Sequence, residues 1–320
     1  MQRFLFIGLL LFILLPAYSQ RELSNDTQIS VITFGPWQGE LWSAFGHSAF
    51  RVYDPVTGMD YAYNYGVFSF EPGFYVNFAR GHNYYMLGVM DYQNFKNYYI
   101  YENRYVHEQI LNLTQNQKQK LFDYLQWNAL PENRKYAYDY FYDNCATKIR
   151  DVVVEVFGDS VRFDGSYVNT SYSIRDLTDI YLKEQPWGDL GIDICLGLPM
   201  DKIATPYEYM FLPDYIESGF DHAFIQRNGK DIPLVEEKII VYSVRDEDPM
   251  ARLPHPLYWF SVLTLVCLLI TWRDLKRKKL SNWFDAVLFG VTGLIGLLLF
   301  LLWFATDHAA AGGLERSVAI

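Results

Sequence analysis

Cysteine is scarce in this chain of 320 residues, occurring only as Cys145, Cys195 and Cys267. So few thiols make neither a disulfide framework nor a cysteine-based metal cluster. Cys267 falls in a long apolar run, so the only pair that could form is Cys145 with Cys195. Positive charge is also short. Lys and Arg number 27 against 37 Asp and Glu, a formal charge of −10 that argues against nucleic acid as a partner. Charged residues reach only 20% while apolar ones reach 51%, which excludes a disordered chain. Aromatic residues, by contrast, are abundant: 26 Tyr and 23 Phe, concentrated before residue 260.

The cations that are present cluster. RDLKRKK, residues 273–279, holds five of them in seven positions between two apolar runs. Those runs, 257–272 and 283–305, read as transmembrane helices, since a bilayer span takes roughly 20 apolar residues. Tyr258 and Trp259 suit an interface, and the positive-inside rule makes 273–282 a cytoplasmic loop. Thr306, Asp307 and His308 then return to the outer side. At the other end, Arg3 precedes FLFIGLLLFILLP and a small-residue AYSQ, so 1–19 reads as a signal peptide cleaved after Ser19. Residues 20–250 form the exported domain. The end of the chain, 306–320, closes in AAAGGLERSVAI, small and low in complexity, and is expected to be an atypical tail.

Within the exported domain, residues 29–34, 47–53, 61–65, 84–90 and 106–111 alternate as strands, with a hairpin turning through Asp54-Pro55 and Thr57-Gly58. Late strands are expected at 223–226 and 238–244. A helix is expected over 71–80 with Pro72 at its first position. Thr114–Gln117 is a capping box opening a helix to about residue 128. Ser173 and Thr205 open two more. Few antiparallel strands with flanking helices make an α+β domain.

The stretch YDYFYDNCATKIRD, residues 138–151, organises the rest. Asn144 is a good N-cap, and Ile149, Val152, Val153 and Val156 recur at helical spacing up to Phe157 and Gly158. Cys145 therefore sits on a first helical turn, where free N–H groups and the helix dipole favour thiolate. It reads either as a small packing residue or as a nucleophile. A nucleophile needs a base, and the candidates are His47, His82, His107, His222 and His255. His47 is preferred because FGHSAFRVYD mounts it at a strand start, with Gly46 admitting close approach of a ligand. Asn64, on the paired strand, could accept the second ring N–H.

The runs GHSAFRVYDP (46–55), YAYNYG (61–66), ARG (79–81), YFYDNCATKIRD (140–151) and LGLPMDKIATPYEYMFLPDY (196–215) together resemble the periplasmic domain of Lnb-type lipoprotein N-acyltransferases of Bacteroidota. The resemblance covers roughly residues 25–245. That domain is similar to the circularly permuted NlpC/P60 branch of the papain-like fold, in which a strand-borne His precedes a Cys at a helix N-terminus. Lecithin:retinol acyltransferase-like enzymes, with their own Asn-Cys motif, share the arrangement.

The resemblance implies an inner-membrane protein whose catalytic domain faces the periplasm. Cys145 and His47, with Asn64, would form a thioester from a phospholipid. They would then pass the acyl chain to the α-amine of a lipidated lipoprotein N-terminus, and no cofactor is expected. Arg80 and Arg51 would position substrate phosphate or else pair in surface salt bridges, Asn144 would contact substrate beside the nucleophile, and Tyr84, Tyr85 and the Phe141-Tyr142 pair would line an acyl groove. The family continues through further membrane helices, whereas here WFATDH fits the pattern only to His308. Two other classes use or ignore the same residues: a peptidoglycan cysteine peptidase or amidase, and a non-catalytic membrane-tethered binding module.

Overall fold

The computed structural model describes residues 21–69, 72–246 and 253–308. The signal peptide expected over 1–19 and the run beyond His308 lie outside them. Seven antiparallel strands form the main sheet: β1 (Gln28–Phe34), β2 (His47–Asp54), β3 (Met59–Val67), β4 (Tyr84–Asp91), β5 (Val106–Leu111), β6 (Lys135–Ala137) and, late in the chain, β10 (Val235–Tyr242). Their order is β10-β5-β1-β2-β3-β4-β6. A separate three-stranded sheet joins β7 (Val161–Phe163), β8 (Ala223–Arg227) and β9 (Lys230–Pro233).

β1 is central and buried on both faces, so its apolar residues sort by parity. Val31 faces one side with Phe50, Val52, Tyr63 and Tyr65. There they pack against α3 (Gln115–Asn128), α4 (Cys145–Phe157) and α8 (Pro213–Asp221), through Phe122, Ile149, Val153 and Phe220. Ile32 and Phe34 face the other side and pack with Tyr92, Phe95 and Tyr99 of α2 (Tyr92–Tyr101). The β2–β3 turn is fixed by Asp54, whose carboxylate accepts from the N–H groups of Val56 at 3.0 Å and Thr57 at 3.3 Å. That turn sets the register Phe50↔Tyr63 and Arg51↔Ala62. Carried to the strand's start, the same register sets Gly66 opposite His47.

The remaining helices are α1 (Phe74–Arg80), α5 (Ile174–Leu182), α6 (Pro186–Cys195), α7 (Pro206–Tyr209), α9 (Pro256–Arg277) and α10 (Asn282–Ala305). The α+β class stands. Two boundaries differ from expectation. α1 starts at Phe74, not at 71, because Gly73 adopts φ 93° and stops helical continuity; Pro72 precedes it in a turn, and Glu71 lies outside the described residues. α9 runs on through Arg277, so half of the stretch expected as a 273–282 loop is helix. Cations complement the carbonyl end of a helix, and Asp274 ties the turn by accepting from the Ser281 N–H at 2.6 Å. α9 and α10, of 22 and 24 residues, are long and apolar enough to cross a membrane and are almost wholly unburied within the chain.

Candidate active site

α4 begins where Asn144 caps it. The Asn144 Oδ1 accepts from the N–H groups of Ala146 and Thr147 at 2.8 and 2.9 Å, and its Nδ2 donates to the carbonyls of Tyr140 and Phe211, both at 2.8 Å. Thr147 Oγ1 returns the favour by accepting from the Asn144 N–H at 2.8 Å. The side-chain amide is thus fully used by the protein. Asn144 fixes where Cys145 stands, and its four bonds to the protein leave no hydrogen-bonding capacity for the substrate contact expected of it.

His47 opens β2 at the same end of the sheet. Its Nε2 lies 2.6 Å from Asn64 Oδ1 on β3. An amide oxygen only accepts, so Nε2 carries the proton and Nδ1 is the free basic nitrogen. Phe34, Phe95 and Tyr99 enclose the ring, with centroids 6.2, 6.1 and 5.9 Å away. Gly66 borders both partners: a Cβ placed there would sit 3.6 Å from Cys145 Cβ and 4.0 Å from His47 Cε1. Its φ of +93° is a left-handed conformation that disfavours any other residue. The glycine singled out from sequence was the wrong one. Gly46 is closely approached, but by the Phe34 carbonyl and Pro213, which leave no room there for a ligand.

Electrostatics at the pair differ from the thiolate expected at a helix N-terminus. Burial pushes the Cys145 thiol up to about 11, outweighing the N–H groups of Ser48, Ala146 and Cys145 itself, which face the sulfur and pull the other way. Burial likewise lowers His47 to about 4, against the raising effect of its Asn64 bond. The resting pair is therefore a neutral thiol beside a neutral imidazole. Arg104 bears on both groups. This buried guanidinium donates from Nε to the Gly35 carbonyl at 2.7 Å, lies 4.5 Å over the Tyr99 ring, and has its Nη2 unpartnered among the described residues.

The other sequence candidates sit elsewhere. Arg51 is not at the site: it is held by Asp60 at 2.7 Å and Glu108 at 3.0 Å and stacked 4.0 Å over Tyr92, because a cation on a central strand must be paired when covered. Arg80 ends α1, exposed, beside the end of α10. Tyr84 is 63% exposed, whereas its neighbour Tyr85 turns inward to stack on Tyr138. His107 pairs with Glu217 at 3.0 Å, His82 with Asp307 at 2.7 Å, His222 bonds the Ser218 carbonyl, and His255 caps α9. All three cysteines are free thiols, so the Cys145–Cys195 pair is not formed. Sequence reasoning missed Arg104, Tyr99, Ser48 and Gly66; only the Gly66 position, readable from the hairpin register, carried a signal. Asp179, Asp189 and Asp193 converge away from the pair as an acidic cluster.

Such a pair can form a covalent acyl adduct: sulfur as nucleophile, imidazole as proton shuttle, an amide to hold the tautomer, and N–H groups for the oxyanion. Comparison with known proteins agrees on family. Residues 15–179 match the Lnb N-terminal periplasmic domain, and residues 248–312 match the Lnb transmembrane domain. No curated protein and no solved structure matches the chain. The molecule is a membrane-anchored protein with a periplasmic domain.

Proposed function

The chain belongs to the Lnb family, and on that premise we propose that it is a lipoprotein N-acyltransferase of the inner membrane working through a Cys145 thioester. In this reading 20–250 is a permuted papain-like catalytic domain facing the periplasm, behind a signal peptide over 1–19. The observation that carries it is the 2.6 Å bond between His47 Nε2 and Asn64 Oδ1, on a hairpin whose Gly66 borders Cys145 as well. His82, His107, His222 and His255 are all committed elsewhere.

The neutral resting pair sets the order of events. Proton transfer from Sγ to His47 Nδ1 accompanies attack of the sulfur on an ester carbonyl of a phospholipid. The carbonyl oxygen, now negative, takes hydrogen bonds from the N–H groups of Ser48 and Cys145. Collapse breaks the ester bond; the departing alkoxide takes the proton from His47, leaving lysophospholipid and the acyl thioester. The α-amine of the lipidated N-terminal cysteine of a lipoprotein then attacks the thioester carbonyl. The amine gives up one proton through His47 to the leaving thiolate, restoring the thiol and yielding the amide. The apolar, aromatic walls around His47 suit an acyl substrate and dry chemistry better than a polar peptidoglycan stem.

The test is genetic and chemical together. Wild type, Cys145→Ser and His47→Ala are expressed in cells depleted of their own N-acyltransferase, and lipoprotein N-termini are analysed by mass spectrometry. N-acylation is expected with the wild type alone. Equal N-acylation by Cys145→Ser would sink the reading, and release of stem peptides by the wild type would point to the peptidase class.

A further inference from the structure

α1 has no fully buried residue, and it leans on the periplasmic domain through Phe74, whose ring stacks on Phe68. It carries Phe74, Tyr75, Val76 and Phe78 in seven residues, none of them buried; Tyr75 is 75% exposed and Phe78 51%. A short apolar helix in water has little to hold it in place. The end of a membrane helix also holds this one. The Asp307 N–H, just past α10, donates to the Arg80 carbonyl at 2.8 Å, and His82 Nε2 meets the Asp307 carboxylate at 2.7 Å. The His308 ring lies edge-on to Phe78 at 6.3 Å. Gly81 makes the approach feasible, since a Cβ there would fall 2.6 Å from the Asp307 carbonyl carbon. α1 is thereby fixed at the level where α10 leaves the bilayer, and its aromatic residues with Arg80 have the composition of an interfacial helix.

From α1 a file of rings leads inward. Phe78 stacks with Phe74 at 6.2 Å, Phe74 with Phe68 at 5.9 Å, Phe68 with Tyr85 at 5.1 Å, and Tyr85 with Tyr138 at 4.1 Å. Tyr138 is held in place by its N–H, which donates to the Asn83 carbonyl at 2.6 Å. It precedes Asp139, whose backbone pairs with that of Asp143 (N–H to carbonyl at 3.2 and 3.0 Å), so Tyr138 stands at the mouth of the closed turn that delivers Asn144 and Cys145. The file thus joins the membrane-level helix to the turn that carries the reacting sulfur. An acyl chain leaving a bilayer needs such a continuous apolar wall, because every methylene exposed to water on the way opposes the transfer.

We propose that α1 is seated in the outer leaflet of the membrane and that the rings of Phe78, Phe74, Phe68, Tyr85 and Tyr138 are the track along which an acyl chain of a bilayer lipid reaches Cys145. The end point of the track rests on the acyltransferase reading; the seat of α1 does not. Both are tested on the full chain carrying Cys145→Ser, Cys195→Ser and Cys267→Ser, reconstituted in phosphatidylethanolamine–phosphatidylglycerol vesicles. With Val76→Cys added and spin-labelled, relaxation by lipid-soluble oxygen is expected to exceed relaxation by a water-soluble nickel chelate. The reverse order would overturn the seat in the leaflet. In the second arm, a phospholipid with a diazirine at its acyl terminus is photolysed in the same vesicles without the label. Adducts are expected on the peptides bearing Phe74, Tyr85 and Tyr138; adducts confined to α9 and α10 would overturn the track. Thioester trapping on the wild type separates the two readings. Ring adducts without a thioester would remove the acyltransferase and leave the track, while a thioester without ring adducts would remove the track alone.

Discussion

α4 starts at Asn144, whose side chain makes four hydrogen bonds, whereas α1 starts at Gly73, left-handed and without any side-chain cap. α4 buries Ala146, Ile149, Val153 and Val156 against the sheet; α1 buries no residue fully, Phe74 being half-buried. The first helix is positioned by the protein's own core and can hold a sulfur to a fraction of an ångström. The second takes its position in part from α10, and so in part from whatever surrounds α10. On the proposed function, chemistry and access would thus be built from opposite materials, one from saturated polar bonds and the other from exposed apolar surface.

The contrast can be pressed hardest at the sulfur. Cys145→Ala is expected to abolish thioester formation while leaving the fold intact, measured by trapping acyl-enzyme with a labelled phospholipid. Gly66→Ala should come next, slowing single-turnover thioester formation by roughly ten- to a hundredfold. Its methyl would come into contact with both Cys145 Cβ and His47 Cε1, and φ +93° would cost on the order of 1 kcal/mol in stability. A fully active Gly66→Ala protein would mean that the two residues do not work as a pair. Asn144→Ala should cost about 2 kcal/mol, read as a lower thermal midpoint of the detergent-solubilised chain; α1 has no comparable cap to lose.

Titration sharpens the same comparison. With Cys145 at about 11, its alkylation by iodoacetamide should stay slow through neutral pH and rise only toward that value. An inflection near neutrality would mean an ion pair instead. Stability follows the same groups. His47, depressed from 6.5 to about 4, binds its proton more readily when unfolded, so its contribution is lost as pH falls from 6.5 toward 4. Cys145, raised from 9.0, contributes fully below 9.0 and loses that contribution as pH rises toward 11. The smallest effect belongs to α1: Asp307→Asn removes the charge of an exposed pair with His82 and should change stability by less than about 1 kcal/mol.

Much of the site was legible because its signals are local. Asn144 before a helical apolar pattern needs only a few residues to read, and the hairpin that brings Asn64 to His47 is set by the Asp54 turn. The errors arose where a partner is distant in sequence or where parity decides. Arg51 looked free because Glu108 lies on another strand, brought beside it only through β1. Arg104 gave no sign because its neighbours, Gly35 and Tyr99, meet it only in the fold. Tyr84 and Tyr85 were expected in one groove although one strand position reverses which face a side chain takes. α2 was missed altogether, its tyrosine-rich run lacking a clean apolar stripe, although Asp91 caps it by accepting from the Asn94 N–H at 2.8 Å.

The burial of Cys145 also governs its survival between turnovers. Oxidants and disulfides in the periplasm react with thiolate, not thiol. A thiol raised to about 11 exposes thiolate in only on the order of one molecule in ten thousand at neutral pH. In the acyltransferase reading, the desolvation that makes Cys145 slow at rest would also keep it reduced, and it would become reactive only when a bound carbonyl draws the proton onto His47.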